Sequence, residues 1–379
     1  MNVVSNLGWF GRIGRSFKGI LVGVVMALVS VVLLVGNERN AVRDIRANRE
    51  VGKEVIPIGN ESVDPGKEGK LVHLNGPTLT NDLVENPEFG VSENAIRLTW
   101  NSEIYQWDER SETSTDKKVG GGETTSTSYT YEKKWVPNAI DSSKFEEAGH
   151  ENNSVQKFSS GQSQATNVTL GAFQLPETLI NRITSSEPYP LQEVPADLVS
   201  ETANVTGGVF YTGSPTAPEI GDERVTFALT QPGNVSVMGV QKGESFEPYR
   251  AKNGKIRFEL NEGLLSANEM VQVLEQKAKF LRWALRIAGF VLMSIGFGLI
   301  LKPLSVLADL VPFLGNLVGA ATGIIGMLLA GGITLIIAAI SWITFRPLIG
   351  VPLLIVALAA LFFGIKKLTA KPANAPQTA

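Results

Sequence analysis

Residues 19–36, GILVGVVMALVSVVLLVG, form an uncharged apolar run of about the length a tilted helix needs to cross the hydrocarbon core of a bilayer. The run follows Arg12, Arg15 and Lys18 and ends in Val35-Gly36-Asn37-Glu38-Arg39, with no small-x-small cleavage site. It therefore reads as an uncleaved membrane anchor, not as a signal peptide.

Outward from this segment the same pattern recurs at 284–301, 313–345 and 348–365. The 313–345 stretch is longer than one span needs, but no charge or proline marks a turn inside it, so a single tilted helix is expected, starting as late as Leu317. Arg346-Pro347, flanked by Trp342, Phe345 and Leu348, reads as an interfacial turn, and 302–312 as a short interfacial loop. The expected fold is a four-span α-helical membrane part with a large α+β, sheet-dominated extramembrane domain, 37–282, between spans 1 and 2.

Charge supports this division. Of 37 Asp and Glu residues only Asp309 lies outside 37–282, and that middle stretch holds 36 acids against 25 bases. A single soluble globule is excluded, because the segments stripped of acids are those carrying the long apolar runs. The basic N-terminus 1–18 and the tail 366–379, with Lys366, Lys367 and Lys371, place both ends in the cytoplasm by the positive-inside rule. Arg39, Arg43, Arg46 and Arg49, with Lys277, Lys279, Arg282 and Arg286, argue the other way. A long acidic domain translocates largely regardless of flanking charge, so an extracytoplasmic middle domain is expected.

Within the domain, IRLTWNSEIYQW (96–107) alternates Ile96, Leu98 and Trp100 and then changes phase, which predicts a bulge near Asn101. TSYTYEKKWV (127–136) places Tyr129, Tyr131, Lys133 and Trp135 on one side, and the polar stretch between these strands reads as a long hairpin loop. Val225/Phe227/Leu229 and Val235/Val237/Gly239 alternate about a turn at 231–234. Gly69–Gly76 and Gly208–Gly213, each before a Pro/Thr-rich connector, suggest two similar sheet units. Ser266-Ala-Asn-Glu269 is a capping box opening a helix that runs without a break into span 2. Asn37 to Lys53 prolongs the first span and carries Arg39, Arg43, Arg46 and Arg49 as a basic stripe, either a solvated face or a binder of phospholipid headgroups.

The chain has no cysteine and two histidines, which removes disulfide frameworks, thiol catalysis and Cys/His zinc sites. No HExxH, GxSxG, GxxxxGK[ST] or strand-linked GxGxxG occurs, so no catalytic residue, cofactor or metal site is expected. His150 reads as a cap at a surface helix end beside Glu146-Glu147, and His73 as a hydrogen-bonded structural histidine. In the spans, Gly315, Gly319 and Gly323 form GxxxGxxxG, and Gly19, Gly23 and Ala27 a second small-residue ridge, the spacing that lets helix backbones approach closely. Polar groups at mid-membrane are few, which disfavours a transporter or channel.

Several ordered segments together resemble the LUMA (transmembrane protein 43) family: Asn37-Glu38-Arg39, Glu68–Gly76, Pro87–Val91, Glu103–Trp107, Lys144–His150, Glu219–Phe227 and Phe345–Leu348. The resemblance implies a four-span protein with a large lumenal or periplasmic domain, self-association, and scaffolding of membrane partners such as emerin and lamins. It places a eukaryotic member in the endoplasmic reticulum and inner nuclear membrane, and a bacterial one in the plasma membrane. It transfers no functional residue. The expected function is thus a non-enzymatic, homo-oligomeric scaffold contacting membrane lipids and other membrane proteins, with no nucleic acid and no small-molecule substrate. Anionic-lipid binding or membrane shaping is the alternative.

Overall fold

The computed structural model describes residues 2–343 and 347–369. They divide into two compact units, one of Ala47–Glu112 with Ser128–Leu274, the other of Asn2–Arg46, Thr113–Thr127 and the chain from Glu275 onward.

The second unit is built on four helices. Helix α1 spans Trp9–Glu54, α2 Ala267–Ala308, α3 Pro312–Ile343 and α4 Pro347–Thr369. At 46 residues α1 is about 69 Å long at the α-helical rise, so its apolar stretch is less than half of it. Among the described residues, α1, α2 and α3 are long and apolar enough to cross a membrane, and a shorter apolar run, Gly350–Ala359, lies in α4. The Arg346 half of the interfacial turn, Lys371 and most of the tail lie outside the described residues.

The loop expected at 302–312 is mostly helix. Helix α2 carries Pro303 in its interior and ends only at Ala308, so the connection to α3 shrinks to Asp309–Val311. Likewise α3 starts at Pro312, before Leu317: proline at a first helical position has no amide to leave unsatisfied. At the other end of α2, the Ser266 hydroxyl donates to Glu269 Oε2 (2.8 Å) and the Ser266 amide to the same carboxylate (2.7 Å). This capping box starts the helix well ahead of its apolar part.

The first unit is a pair of sheets sharing one core. Strands β2 (Leu71–Thr80) and β6 (Asn234–Lys242) are the antiparallel centre of one sheet. Strands β3 (Arg97–Lys117) and β5 (Glu223–Thr230) are neighbours in the other, with β4 (Glu123–Val136) on the far side of β3. Leu98, Val225 and Phe227 from one sheet and Val72, Leu74, Val235 and Val237 from the other join a single cluster. Phe89 sits at its centre, 5.2 Å from Phe158 and Phe227 and 5.3 Å from Phe210 between ring centroids. The turn at 231–233 therefore carries the chain from one sheet to the other and closes no hairpin.

Three expectations change here. The register of β3 on β5 is unbroken from Arg97↔Thr230 to Ile104↔Glu223, so there is no bulge at Asn101. The apparent phase change arises because Ser102 and Gln106, both fully buried, continue the inward face, leaving Tyr105 to pack at a tilt against Trp135 outside it. The long hairpin loop is short, since β3 runs to Lys117 and β4 resumes at Glu123. The two glycine-bracketed stretches build unlike strands: Leu71–Thr80 is a ten-residue central strand and Val209–Tyr211 a three-residue one.

Candidate functional site

Two clusters of ionisable side chains lie in the membrane-helix unit. At the N-terminal end of α1, Arg12 is only 6% exposed; Nη2 donates to Asp309 Oδ2 (2.5 Å) and Nη1 to the Gly121 carbonyl (2.7 Å), while Nε lies 2.9 Å from Glu123 Oε2 as an ion pair. Asp309 is fully buried and also receives Lys117 Nζ at 3.0 Å. Trp9 Nε1 donates to the Val306 carbonyl, and Gly120 N to that of Leu310. The tip of the β3–β4 hairpin, expected in the middle domain, is thus fastened to the start of α1 and the end of α2. Strand β1 (Asn2–Leu7) flanks β4 there, with Thr124 Oγ1 donating to Asn6 Oδ1 (2.7 Å). Such charges are stable at low exposure because each finds a partner.

The second cluster surrounds Glu38, 1% exposed. Arg286 meets it as a fork, Nε to Oε1 at 2.5 Å and Nη2 to Oε2 at 2.8 Å, the bidentate geometry that suits guanidinium and carboxylate. Trp342 Nε1 also donates to Glu38 (3.2 Å), and the Arg286 guanidinium stacks 5.0 Å from the Trp283 ring and 5.8 Å from that of Trp342. Beside it opens a groove of about 520 Å³ between α2, α3 and α4, lined by Trp283, Arg286, Phe290, Thr334, Trp342 and Leu353 among others.

The expected helix-packing glycines take different places. A Cβ on Gly23 would lie 2.5 Å from the Gly296 carbonyl oxygen, and one on Gly296 would lie 2.8 Å from that of Gly23. This is a mutual backbone contact of α1 with α2. Gly19 faces Leu299, Gly315 lies against Asp309, Gly319 faces Ser305, and Gly323 has open space. Two of the three glycines of the GxxxGxxxG row are therefore spent inside the protomer. In the basic stripe, Arg39, Arg46 and Arg49 are exposed and Arg43 is half-buried.

In the sheet unit, His73 is buried and Nε2 meets the Leu265 carbonyl at 3.0 Å; burial pushes its pKa below the usual histidine value. His150 caps no helix. Only a single 3₁₀ turn, Ser142–Lys144, precedes it, and its ring stacks on Tyr131 at 3.8 Å and meets Trp107 edge-on at 4.7 Å. Tyr131 donates to Glu109 (2.6 Å) and its phenol is pushed up to about 12, first by burial and then by that carboxylate. Tyr249 lies 2.7 Å from both Glu50 and Glu54; its phenol is raised first by burial and then by these carboxylates, and its bond to Glu50 lowers that carboxyl. Among the described residues no three His, Asp or Glu side chains are grouped as a metal site.

A family model for transmembrane protein 43 matches residues 104–347. The chain is 31% identical over 355 residues to transmembrane protein 43 of Rattus norvegicus, covering 90% of this chain and 88% of the rat protein. The Homo sapiens protein is 30% identical over 357 residues, with 91% and 88% covered. The chain belongs to the transmembrane protein 43 family. Its Drosophila melanogaster homolog is 30% identical over 349 residues, 88% of this chain and 91% of the fly's. No solved structure matches. The family resemblance read from the sequence is confirmed, and as a member of the transmembrane protein 43 family, with three membrane-capable helices, the chain is an integral, multi-pass membrane protein.

The sequence held a signal for the first cluster that the reading did not use. Asp309 is the sole acid outside 37–282, and an acid retained beside apolar spans implies a cation facing it.

Proposed function

We propose that this chain is a non-enzymatic, self-associating membrane scaffold, with α4 as a fourth span, both termini in the cytoplasm and the sheet unit on the opposite side. One observation supports self-association most directly: Arg12 holds Glu123 and the Gly121 carbonyl. On this topology the hairpin tip lies on the N-terminal side, and the arms of β3 and β4 that lead to it must pass the depth of the bilayer. Those arms are polar, with Glu112-Thr-Ser-Thr-Asp116 exposed. Open polar backbone is tolerated at that depth only where protein or enclosed water covers it, and further copies of the chain supply the cover. The self-sufficient ion pairs at Arg12 and Glu38 support the non-enzymatic reading, since their charges are spent on joining helices.

Light scattering on the protein in mild detergent tests this, with particles of at least two 40.8 kDa chains expected. A monodisperse single chain would overturn it. A second reading, anionic-lipid attraction by the basic stripe, draws on the exposure of Arg39, Arg46 and Arg49. It predicts vesicle binding that weakens steeply with salt.

A further inference from the structure

Between the first turns of α1 and the last turns of α2 opens a pocket of about 240 Å³, lined by Arg12, Arg15 and Val22 on α1, Leu299 and Lys302 on α2, and Glu123 of β4 among others. Its charges do not balance. Arg12, Lys117, Asp309 and Glu123 form the network already described, two of each sign, which leaves Arg15 and Lys302 in excess. Arg15 is 69% exposed and gives only Nη1 to Glu123 (3.2 Å), a carboxylate that Arg12 already neutralises. Lys302 is exposed and meets no acceptor among the described residues. The Ser16 hydroxyl, also in the wall, is taken by the Ile13 carbonyl (2.7 Å). The open donors of the pocket are therefore two accessible cations, one from each helix.

The wall changes character along the helices. Arg15 lies just before the uncharged run that begins at Gly19, and Val22 is seven residues farther along α1, about 10 Å of helical rise. On α2, which runs the other way, Lys302 follows Leu299 by three residues, about 5 Å. Both cations thus stand at the polar end of the pocket, and Val22 and Leu299 at its apolar end. The pocket spans the level at which basic side chains meet hydrocarbon, where phospholipid headgroups lie.

An occupant that fits carries negative charge at one end and methylenes at the other. A free phosphate ion leaves the apolar wall uncovered, and a sterol leaves the two cations unanswered. We infer that the pocket holds one anionic phospholipid, its phosphate facing Arg15 and Lys302 and its first methylenes lying along Val22 and Leu299. This goes beyond the scaffold reading, because the site is complete within one protomer whatever the oligomeric state. It is also separate from the basic stripe, since Arg39 to Arg49 follow the opposite end of the 19–36 run.

The test uses the full chain, delipidated in mild detergent and offered dioleoyl phosphatidylglycerol and dioleoyl phosphatidylcholine in competition. Native mass spectrometry reads the first lipid retained. Phosphatidylglycerol should be held roughly fivefold more tightly, the attraction of one basic residue beside the headgroup. Arg15→Gln and Lys302→Gln remove exposed charges and leave Glu123 and Asp309 their Arg12 partner, so both fold, and each should bring the two lipids toward equal binding. Lys18→Gln makes the same charge change three residues past Arg15, exposed and outside the pocket, and should leave the preference intact. Equal binding of the two lipids by wild type, or an equal loss from Lys18→Gln, overturns the site. A preference unmoved in both Arg15→Gln and Lys302→Gln overturns it as well and assigns the lipid to the Arg39–Arg49 stripe. Displacement of phosphatidylglycerol by inorganic phosphate or by oleate at matched concentration would make the pocket a site for a free anion or a fatty acid, and overturns the phospholipid.

Discussion

Arg12 donates to Asp309 and to the Gly121 carbonyl and pairs with Glu123, so its removal leaves a fully buried carboxylate beside Lys117 alone. Breaking a buried pair by deleting one partner typically costs about 3–5 kcal/mol. Arg12→Met should lower the thermal midpoint of the detergent-solubilised protein sharply, and Arg12→Met with Asp309→Asn should recover part of the loss. Equal destabilisation in single and double variants would show that the pair is not coupled. Asp309 was visible in the sequence as an isolated acid, but its partner lies 297 residues away, and only the antiparallel return of α2 beside α1 brings them together. His73 gives a second residue-scale test. Its folded pKa is depressed by burial, so the stability it contributes is fully present above the unfolded histidine value of about 6.5. That stability is lost as pH falls from there toward the folded value, where the unfolded chain binds the proton first. Unfolding midpoints should drop between pH 7 and 5, and His73→Gln should flatten that slope.

At the scale of elements, α1 and α2 cross at Gly23 and Gly296 with each backbone against the other's carbonyl. Lipid offers no hydrophobic drive for this association, so close van der Waals approach supplies it. Gly23→Leu forces the helices apart, and overpacking of this kind costs about 1–3 kcal/mol. Gly323→Leu, entering open space, should leave the midpoint unchanged. A smaller particle from Gly323→Leu would place that glycine at a contact between copies, whereas equal loss in both variants would remove the distinction between the ridges. The helices were legible because long apolar runs and a capping box mark them without reference to tertiary structure. Pro303 hid the last turn and a half of α2, since proline usually ends a helix and here does not. The strands and the β3–β4 hairpin were legible by alternation and a polar tip, but the rest of the pairing was not: buried Ser102 and Gln106 interrupt the apolar rhythm of β3, and the turn after β5 looks the same in sequence whether it closes a hairpin or changes sheet. The Glu38–Arg286 fork and the groove beside it were unreadable for the same reason, being assembled from α1, α2, α3 and α4.

At the scale of the whole molecule, the proposed topology turns on a matter of reach. The apolar segment 19–36 rises about 27 Å as helix, and from Trp107 to Lys117 an extended strand covers about 33 Å. The β3 arm is therefore long enough to pass the hydrocarbon thickness and deliver Glu123 and Gly121 to Arg12. From Asp108 to Lys117 its side chains are all serine, threonine or charged, and Thr113 meets Thr127 (3.1 Å) and Thr115 meets Thr125 (3.3 Å) across the ribbon, so neither face suits lipid. If the sheet unit lies across the membrane from the N-terminus, the ribbon must be covered by neighbouring copies. The absence of cysteine makes this directly testable with single introduced thiols. Ser114→Cys, exposed on the ribbon, should cross-link to its counterpart in native membranes and resist a membrane-impermeant thiol reagent. Ile256→Cys, 52% exposed on the sheet unit, should label from the extracytoplasmic side without cross-linking, and Val119→Cys, 88% exposed at the hairpin tip, should label only from the cytoplasmic side. If Val119→Cys and Ile256→Cys label from one and the same side, the ribbon does not cross the bilayer. The need for covering copies then disappears with it, and self-association would have to rest on the open face of Gly323.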